Sequence, residues 1–310
     1  MENFVTNPVP IADRPRVAIV GAGVVGLSWT GLFLANGLSV TICDPRPDVK
    51  IWVLSGLEGI RRTLHELGYP FEKIKGRVFF EEKLHNAVAA ADVIQESIPE
   101  VLEAKQMLYE KLERFCQRSS LILSSSGSFS ASLITKKMKC ADNVIVGHPF
   151  DWPHLLPLVE LAPGARTSRS TVEGAISFYR KMGRQPVLVD REVEGLVANR
   201  LYRALVLEGI HLVQSGVISV DRLDQIVSAS LGPCWAAAGP FKALALSLGL
   251  NNIENCFDNL RLDGDAVTKV RHQSVSYYSY VPMEDLQKEW IDRQIAILKM
   301  SDHSQAFRSL

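Results

Sequence analysis

Two residues in the middle of the chain, His148 and Glu160, could together move a proton. His148 lies in the apolar run NVIVGHP (143–149), and Glu160 follows twelve residues later between Val159 and Leu161. Histidine titrates near neutral pH, which suits a group that takes up and returns a proton. A carboxylate in an apolar strand needs a partner, and it would orient an imidazole and keep it basic. We therefore predict an acid–base pair; the alternative is a glutamate on an exposed strand face.

A second group of residues, near the start of the chain, could hold a dinucleotide. The apolar run RVAIV ends at a loop with the pattern GxGxxG, where a helix begins. The first glycine would allow a tight turn, the second would let a pyrophosphate approach the backbone, and the third would let the helix pack closely on the sheet. Free N–H groups at the helix start would bind the phosphates. The loop residues assigned to the cofactor are Gly21, Gly23, Val24, Val25 and Gly26.

Asp44 ends the next apolar run, 21 residues after Gly23. A carboxylate at this place accepts hydrogen bonds from the ribose hydroxyls and repels a 2′-phosphate, so we predict NAD rather than NADP. Arg46 weakens that preference, because an arginine beside the acid could accommodate the phosphate. For the loop alone, a ligand-free glycine turn is an alternative. A flavin would use the same loop, but we find neither the further binding segments nor the longer chain that such enzymes usually need.

The elements that must position these groups alternate between strand-like and helix-like patterns as far as residue 190. Strands are predicted over RVAIV and LSVTICD and over 76–80, 91–97, 121–126, 143–149, 157–163 and 186–190, with an amphipathic stretch over 24–36 and helices over 101–116 and 169–182. This alternation predicts an α/β fold, a Rossmann-type, doubly wound and mostly parallel sheet. Helical spacing then continues to the end, which predicts a smaller all-helical C-terminal domain. The predicted divisions are a flexible tail (1–14), a nucleotide-binding domain (15–192) and a helical domain (193–310).

Composition argues against several classes of partner. Lys and Arg number 34, as do Asp and Glu, and no basic stripe occurs, so we expect neither nucleic acid nor a membrane as a partner. No apolar run approaches the ~20 residues of a membrane-spanning helix, and the N-terminus lacks the apolar core of a signal peptide. The five cysteines are scattered and show no metal-ligand spacing. We therefore expect free thiols, no metal site and a cytoplasmic location.

Five segments occur in the order and spacing of one family: GAGVVG…D, ESIPEVLEAK, SSSGS, GHPFDWPHLLPLVEL and EGLVANRL. Together they resemble the 3-hydroxyacyl-CoA dehydrogenase superfamily, and most of all its lambda-crystallin (L-gulonate 3-dehydrogenase) branch, with L-carnitine dehydrogenase a close relative. The resemblance covers roughly residues 15–250. It implies an NAD-dependent oxidoreductase that interconverts a 3-hydroxy and a 3-keto group. Its small-molecule substrate would be a hydroxy acid, a hydroxyacyl thioester or an intermediate of a specialised pathway.

The resemblance also implies a role for each matching position. The residues implied in proton transfer and in binding the reacting oxygen are His148 as the base, Glu160 as its partner, Ser128 and Asn199. Glu100 and Lys105 match residues that contact the nicotinamide half of NAD. Each position also has a simpler interpretation: Lys105 as a solvated helix residue, Ser128 as a turn hydroxyl and Asn199 as a helix cap. The helical domain resembles the dimerisation domain of the family, which implies a homodimer.

Three positions depart from the family pattern. Asp151 stands where the family usually has Asn, Cys234 where the branch has Arg, and Val101 where the family has Asn. Asp151 would repel an anionic substrate, and the lost arginine would have clamped a carboxylate with two hydrogen bonds. We therefore assign Asp151, Cys234 and Trp235 to the substrate pocket and expect a neutral or tethered substrate. The alternative is that these substitutions are tolerated without effect.

Two other functions use the same scaffold. One is a non-redox NAD-binding or structural protein of the crystallin kind, and the other is an acid–base enzyme such as a dehydratase or cyclase. The intact set of His148, Glu160 and Asn199 argues against the first. The retained nucleotide-binding residues argue against the second.

Overall fold

A computed structural model of the protein describes residues 14–69, 77–248, 264–278 and 282–302. The chain divides into two compact units, Met1–Leu205 and Val206–Leu310. The strands are β1 (Arg16–Val20), β2 (Ser39–Cys43), β3 (Val78–Phe80), β4 (Val93–Glu96), β5 (Leu121–Ser124), β6 (Val144–Pro149), β7 (Leu158–Pro163) and β8 (Gln185–Leu188). The helices between them are α1 (Val24–Ala35), α2 (Val49–Glu66), α3 (Leu84–Val88), α4 (Leu102–Phe115), α5 (Ala131–Ile134) and α6 (Arg169–Lys181). The predicted tail lies outside the described residues, apart from Arg14.

The strands form one sheet in the order β3-β2-β1-β4-β5-β6-β7-β8. Neighbouring strands are parallel throughout, except that β6 and β7 are antiparallel. The predicted mostly parallel, doubly wound sheet is therefore confirmed, and every predicted strand overlaps an observed one. The single antiparallel pair matters for the site, because it places His148 directly opposite Glu160.

Both faces of the sheet are covered, as the alternation along β1 shows. Val17 and Ile19 belong to one buried cluster, whereas Ala18 and Val20 belong to another. A strand points successive side chains to opposite faces, so two separate cores require two layers of helices. The first core contains a chain of aromatic rings in which Trp29 contacts Tyr179 and Phe33, and Phe33 contacts Phe178.

Helix α1 corrects the expectation of an amphipathic helix. Ten of its 12 residues are buried, so it has no broad polar face. It contacts β1 and β2, and α2 also packs on it. At Gly31 and Gly56 an added Cβ would collide with Ile60 and Leu27 respectively, so the two helices lie very close. A helix that is apolar on all sides is typical of such a fully covered position.

The described residues beyond β8 form helices and contain no strand. They are α7 (Leu196–Gln214), α8 (Val220–Ala229), α9 (Leu231–Ala237), α10 (Pro240–Leu248), α11 (Gly264–Tyr278) and α12 (Met283–Asp302). Helix α7 ends as predicted near Gly216, whose φ of 73° is the left-handed conformation that commonly terminates a helix. The division between the two compact units falls inside α7, whereas the predicted domain boundary lies at 192–193 and stays a prediction. None of the helices described here is long and apolar enough to cross a membrane.

The contact between α1 and β1 generates a stability prediction. A Cβ at Gly26 would collide with the carbonyl oxygen of Gly21, so the Gly26→Ala variant must separate helix from strand. We expect its free energy of unfolding to fall by about 1–3 kcal/mol or more.

The matched control is Gly59→Ala, because no atom lies within 4 Å of the added Cβ at this exposed position of α2. The free energy of unfolding of the Gly59→Ala variant should rise by about 0.5–1 kcal/mol. Urea unfolding measures both, and equal stability of the two variants would contradict this account.

Candidate active site

The glycine loop joins β1 to α1 and brings its backbone close to β4. Gly21 has a φ of +91°, and a Cβ there would lie 2.7 Å from the carbonyl carbon of Ser97. Its N–H donates a hydrogen bond to the carbonyl of Cys43 at 2.9 Å, which ties the loop to the end of β2. Gly23 is different, because no atom lies within 4 Å of the place where its Cβ would be. The protein's own packing therefore requires Gly21, whereas Gly23 leaves open space for a ligand.

A cleft of about 680 Å³ lies against this loop. Seven of the eight residues that the sequence assigned to the cofactor line it: Gly21, Gly23, Val24, Val25, Asp44, Glu100 and Lys105. The eighth, Gly26, is buried and contributes through packing. The volume falls within the range typical of small-molecule sites, and the cleft lies at the carboxyl ends of β1, β2 and β4. The open backbone at Gly23 and the carboxylate at Asp44 fit the pyrophosphate and a ribose of a dinucleotide.

The carboxylate of Asp44 is held by its neighbours. Its Oδ2 accepts a hydrogen bond from Ala22 N–H at 2.7 Å, and its Oδ1 accepts from the backbone N–H (3.0 Å) and the Nε (2.9 Å) of Arg46. Burial disfavours the ionised form, but these hydrogen bonds and the charge of Arg46 outweigh burial and lower the pKa of Asp44. Ribose hydroxyls must therefore compete with Arg46, which also lies over the ring of Trp52.

Lys105 corrects the simpler interpretation of a solvated helix residue, because its side chain is only 1% exposed. Its Nζ lies 2.7 Å from Oε1 of Glu96 and donates a second hydrogen bond, at 3.3 Å, to the carbonyl of Ile98. Glu96 is fully buried at the end of β4. Burial and the adjacent Glu96 raise the pKa of Tyr109 well above its ordinary value, so its hydroxyl stays neutral and donates to this carboxylate.

His148 and Glu160 lie side by side across the antiparallel pair of strands. The distance from Nδ1 of His148 to Oε2 of Glu160 is 3.8 Å, within ion-pair range but too long for a hydrogen bond. The other carboxylate oxygen accepts backbone N–H bonds from Val197 (2.8 Å) and Ala198 (3.2 Å), in the first turn of α7. Burial disfavours ionisation, but the imidazole and these N–H groups outweigh it and lower the pKa of Glu160. Neither Nδ1 nor Oε2 has a hydrogen-bond partner among the described residues.

Gly127 brings Asn199 to the other side of the imidazole. A Cβ at Gly127 would lie 2.5 Å from Nε2 of His148 and 3.3 Å from Nδ2 of Asn199. The same loop is fastened to the cofactor cleft, because Gly127 N–H and the Ser126 hydroxyl donate to the two oxygens of Glu100 at 3.1 and 3.0 Å. The sequence-predicted residues His148, Glu160, Asn199 and Glu100 are thus connected through one glycine loop.

The remaining predicted residues are placed differently. Ser128 is exposed on this loop, one residue after Gly127. Asp151 is exposed after β6 and has a φ of 54°. Cys234 and Trp235 lie in α9, in the second compact unit, so their assignment to the substrate pocket stays a prediction.

Two residues of this site were missed by the sequence analysis. Glu96 lies within ADVIQES and is buried, and Gly127 is the point of closest approach to the imidazole. The signal for Glu96 was available, since an acid at the end of an apolar strand needs a cation. Lys105 follows it at the start of a helix. In the sequence, Gly127 cannot be distinguished from an ordinary turn glycine, because its approach to the imidazole depends on the packing of the loop.

The family models match most of the chain. The model of the 3-hydroxyacyl-CoA dehydrogenase NAD binding domain matches residues 16–193, and that of the 3-hydroxyacyl-CoA dehydrogenase C-terminal domain matches 195–279. A 3-hydroxyacyl-CoA dehydrogenase of Gibberella moniliformis is 38% identical over 234 residues, which are 75% of this chain and 72% of the relative. An L-carnitine dehydrogenase of Streptomyces coelicolor is 36% identical over 244 residues, 79% of this chain and 77% of the relative.

A solved structure also resembles the chain. It is 5-formyl-3-hydroxy-2-methylpyridine 4-carboxylic acid 5-dehydrogenase, described as an NAD+ dependent dismutase, with a TM-score of 0.74 and 26% identity over 93% of this chain and 98% of that one. A 3-hydroxyacyl-CoA dehydrogenase from Archaeoglobus fulgidus shares the fold at a TM-score of 0.72 and 19% identity, over 93% of this chain and 99% of that one. The more specific lambda-crystallin resemblance stays a prediction. Because the models match the glycine loop, the sheet and the helices that follow, the chain belongs to the 3-hydroxyacyl-CoA dehydrogenase family, and its cofactor is NAD.

Proposed function

We propose that the protein interconverts a 3-hydroxy and a 3-keto group, with His148 and Glu160 as the acid–base pair. The observation that carries the proposal is the position of the imidazole. Nδ1 faces the carboxylate at 3.8 Å, and Nε2 lies at Gly127 beside the amide of Asn199. An Nδ1–H directed at Glu160 leaves the lone pair of Nε2 free to accept the hydroxyl proton.

Each residue then has one task. NAD, when bound, supplies the nicotinamide carbon that accepts or returns the hydride. Nε2 of His148 takes the hydroxyl proton, and Glu160 stabilises the imidazolium that results. The amide of Asn199 and the hydroxyl of Ser128 hold the reacting oxygen. The separation of 3.8 Å is longer than a hydrogen bond, and hydrogen bonds between catalytic groups often shorten when the substrate binds.

The substrate we propose is not a free anion. Asp151 places an exposed carboxylate three residues after the base, and it repels a negative group while attracting a positive one. Relatives are named for L-carnitine, a 3-hydroxy compound, and for 3-hydroxyacyl-CoA. We therefore propose a 3-hydroxy substrate that is neutral near the reacting carbon, is tethered as a thioester, or carries a positive charge.

We also propose a homodimer formed through the helices after β8. Helix α7 buries only Leu196, and large apolar side chains along it are exposed, among them Leu201 and Tyr202 (60% each), Leu207 (54%) and Ile210 (56%). An apolar surface of this kind on a helix of the family's C-terminal domain supports association with a second copy.

The cofactor site generates a prediction on binding. The Asp44→Ala variant loses the ribose contact, so its affinity for NADH should fall about tenfold or more. The ratio of its NADH affinity to its NADPH affinity should fall as well. In Gly23→Ala, the added methyl points into the space for the pyrophosphate without touching protein atoms, so NADH binding should weaken at unchanged stability. Fluorescence titration measures both affinities. Unchanged NADH affinity in both variants would show that neither the glycine loop nor Asp44 binds the cofactor.

The role of His148 as the base can be tested by measuring turnover. We expect the His148→Ala variant to lose about 10²–10⁴-fold in kcat, because no other group takes the proton, while its NADH affinity stays as in the unchanged protein. The control is His65→Ala, an exposed histidine of α2, which should keep full activity. The measurement is NADH formation with a panel of hydroxy acids and hydroxyacyl thioesters. Near-normal turnover by His148→Ala would rule out the proposed mechanism.

Asp151 generates a prediction on specificity. The Asp151→Asn variant keeps the left-handed backbone, which Asn also tolerates, but removes the charge. We expect kcat/KM for 3-hydroxybutyrate, relative to L-carnitine, to rise about fivefold. Glu173→Gln, which removes a charge from α6, should leave the ratio unchanged. An equal ratio in all three proteins would show that Asp151 does not select the charge of the substrate.

A further inference from the structure

A buried carboxylate with no assigned role lies directly beneath the cofactor cleft. Glu96 is 0% exposed, yet both of its oxygens are satisfied. Oε1 accepts from Nζ of Lys105 (2.7 Å) and from Ile98 N–H (2.8 Å), and Oε2 accepts from the hydroxyls of Ser124 (2.5 Å) and Tyr109 (3.2 Å). Four donors satisfy this carboxylate in a place where an unpaired charge would be very costly.

Lys105 is the element of this cluster that reaches the cleft. Its Nζ can donate three hydrogen bonds, and two of them go to Glu96 and to the carbonyl of Ile98. The next acceptor, Oε1 of Glu100, is 3.9 Å away and beyond hydrogen-bond distance. Because Lys105 also lines the cleft, the ammonium keeps one N–H for a ligand there.

We propose that Glu96 is a positioning residue for NAD binding, which holds the Nζ of Lys105 in place and aims its remaining N–H into the cleft. Glu96 touches neither the cleft nor a substrate and acts only through Lys105. This inference rests on the NAD site and not on the proposed reaction, so its failure would leave the proposed acid–base chemistry untouched.

The charged surroundings of Lys105 support this role. Glu96 faces it from β4, Glu100 from the loop after β4, and the neutral hydroxyl of Tyr109 lies on the far side of the Glu96 carboxylate. Glu100 is 39% exposed and already accepts hydrogen bonds from Ser126 and Gly127, so it is a poor substitute for Glu96. Without Glu96, a buried ammonium would lose its closest counter-charge and the hydrogen bond that fixes its position.

The test is the Glu96→Gln variant, which keeps the size of the side chain and removes the charge. We expect its NADH dissociation constant, measured by fluorescence titration, to rise about tenfold, because a neutral amide holds the Lys105 ammonium less firmly than a carboxylate does. The matched control is Tyr109→Phe, which removes a donor from the same carboxylate and leaves the bond to Lys105. Its NADH affinity should stay within about twofold of the original.

A second comparison holds even if Glu96→Gln fails to fold. The Lys105→Met variant and the double variant E96Q/K105M should bind NADH equally, because Glu96 has no effect once Lys105 is gone. Two results would overturn the proposal. One is a folded Glu96→Gln variant whose NADH affinity is unchanged, and the other is a double variant that binds NADH several-fold more weakly than Lys105→Met.

Discussion

Close approach of backbone to backbone at the carboxyl ends of the strands is the constraint on which this site depends. At Gly21 the loop touches the chain just beyond β4, at Gly26 the first helix touches the loop, and at Gly127 the loop after β5 touches the imidazole of His148. A Cβ at any of the three would lie within 3 Å of a neighbouring atom. The loop that contacts His148 is also tied to the cofactor cleft, because Gly127 N–H and the Ser126 hydroxyl donate hydrogen bonds to Glu100.

The second constraint is that each of the three largely covered carboxylates of the site, Asp44, Glu96 and Glu160, has partners of its own. Asp44 is bound by Arg46 and a backbone N–H, Glu96 by Lys105 and three other donors, and Glu160 by the first turn of α7. The three carboxylates differ in whether an oxygen atom remains without a hydrogen-bond partner. Glu96 is fully satisfied and can only support a neighbour, whereas Glu160 keeps one oxygen free beside His148. This difference separates a residue that holds the site together from one that takes part in its chemistry.

The sequence predicted the sheet, its order of elements and the cleft because those features follow from local patterns. Apolar runs, glycine spacing and a terminal acid are visible one segment at a time, and His148 and Glu160 were expected to meet. Contacts that depend on a third element were not visible. The amphipathic interpretation of α1 was wrong because α2 packs on it in addition to the sheet, and the approach of Gly127 to His148 appears only when the loop after β5 is packed against β6. The periodicity of apolar residues predicts one packed face of a helix, but it does not predict a second face that another helix covers.

Two residues beside the acid–base pair have a left-handed backbone conformation. Among the described residues, the non-glycine residues with positive φ are Asp151 (54°) and Leu196 (52°). One follows His148 by three residues, and the other directly precedes the N–H groups that hold Glu160. Such conformations cost about 1–3 kcal/mol each, and the burial of Leu196 in the core offsets its share. Asn and Asp tolerate the left-handed region better than other non-glycine residues. Asn and Asp at position 151 are therefore compatible with the same path of the chain, so a negative charge can be gained or lost there while the geometry of the acid–base pair stays in place.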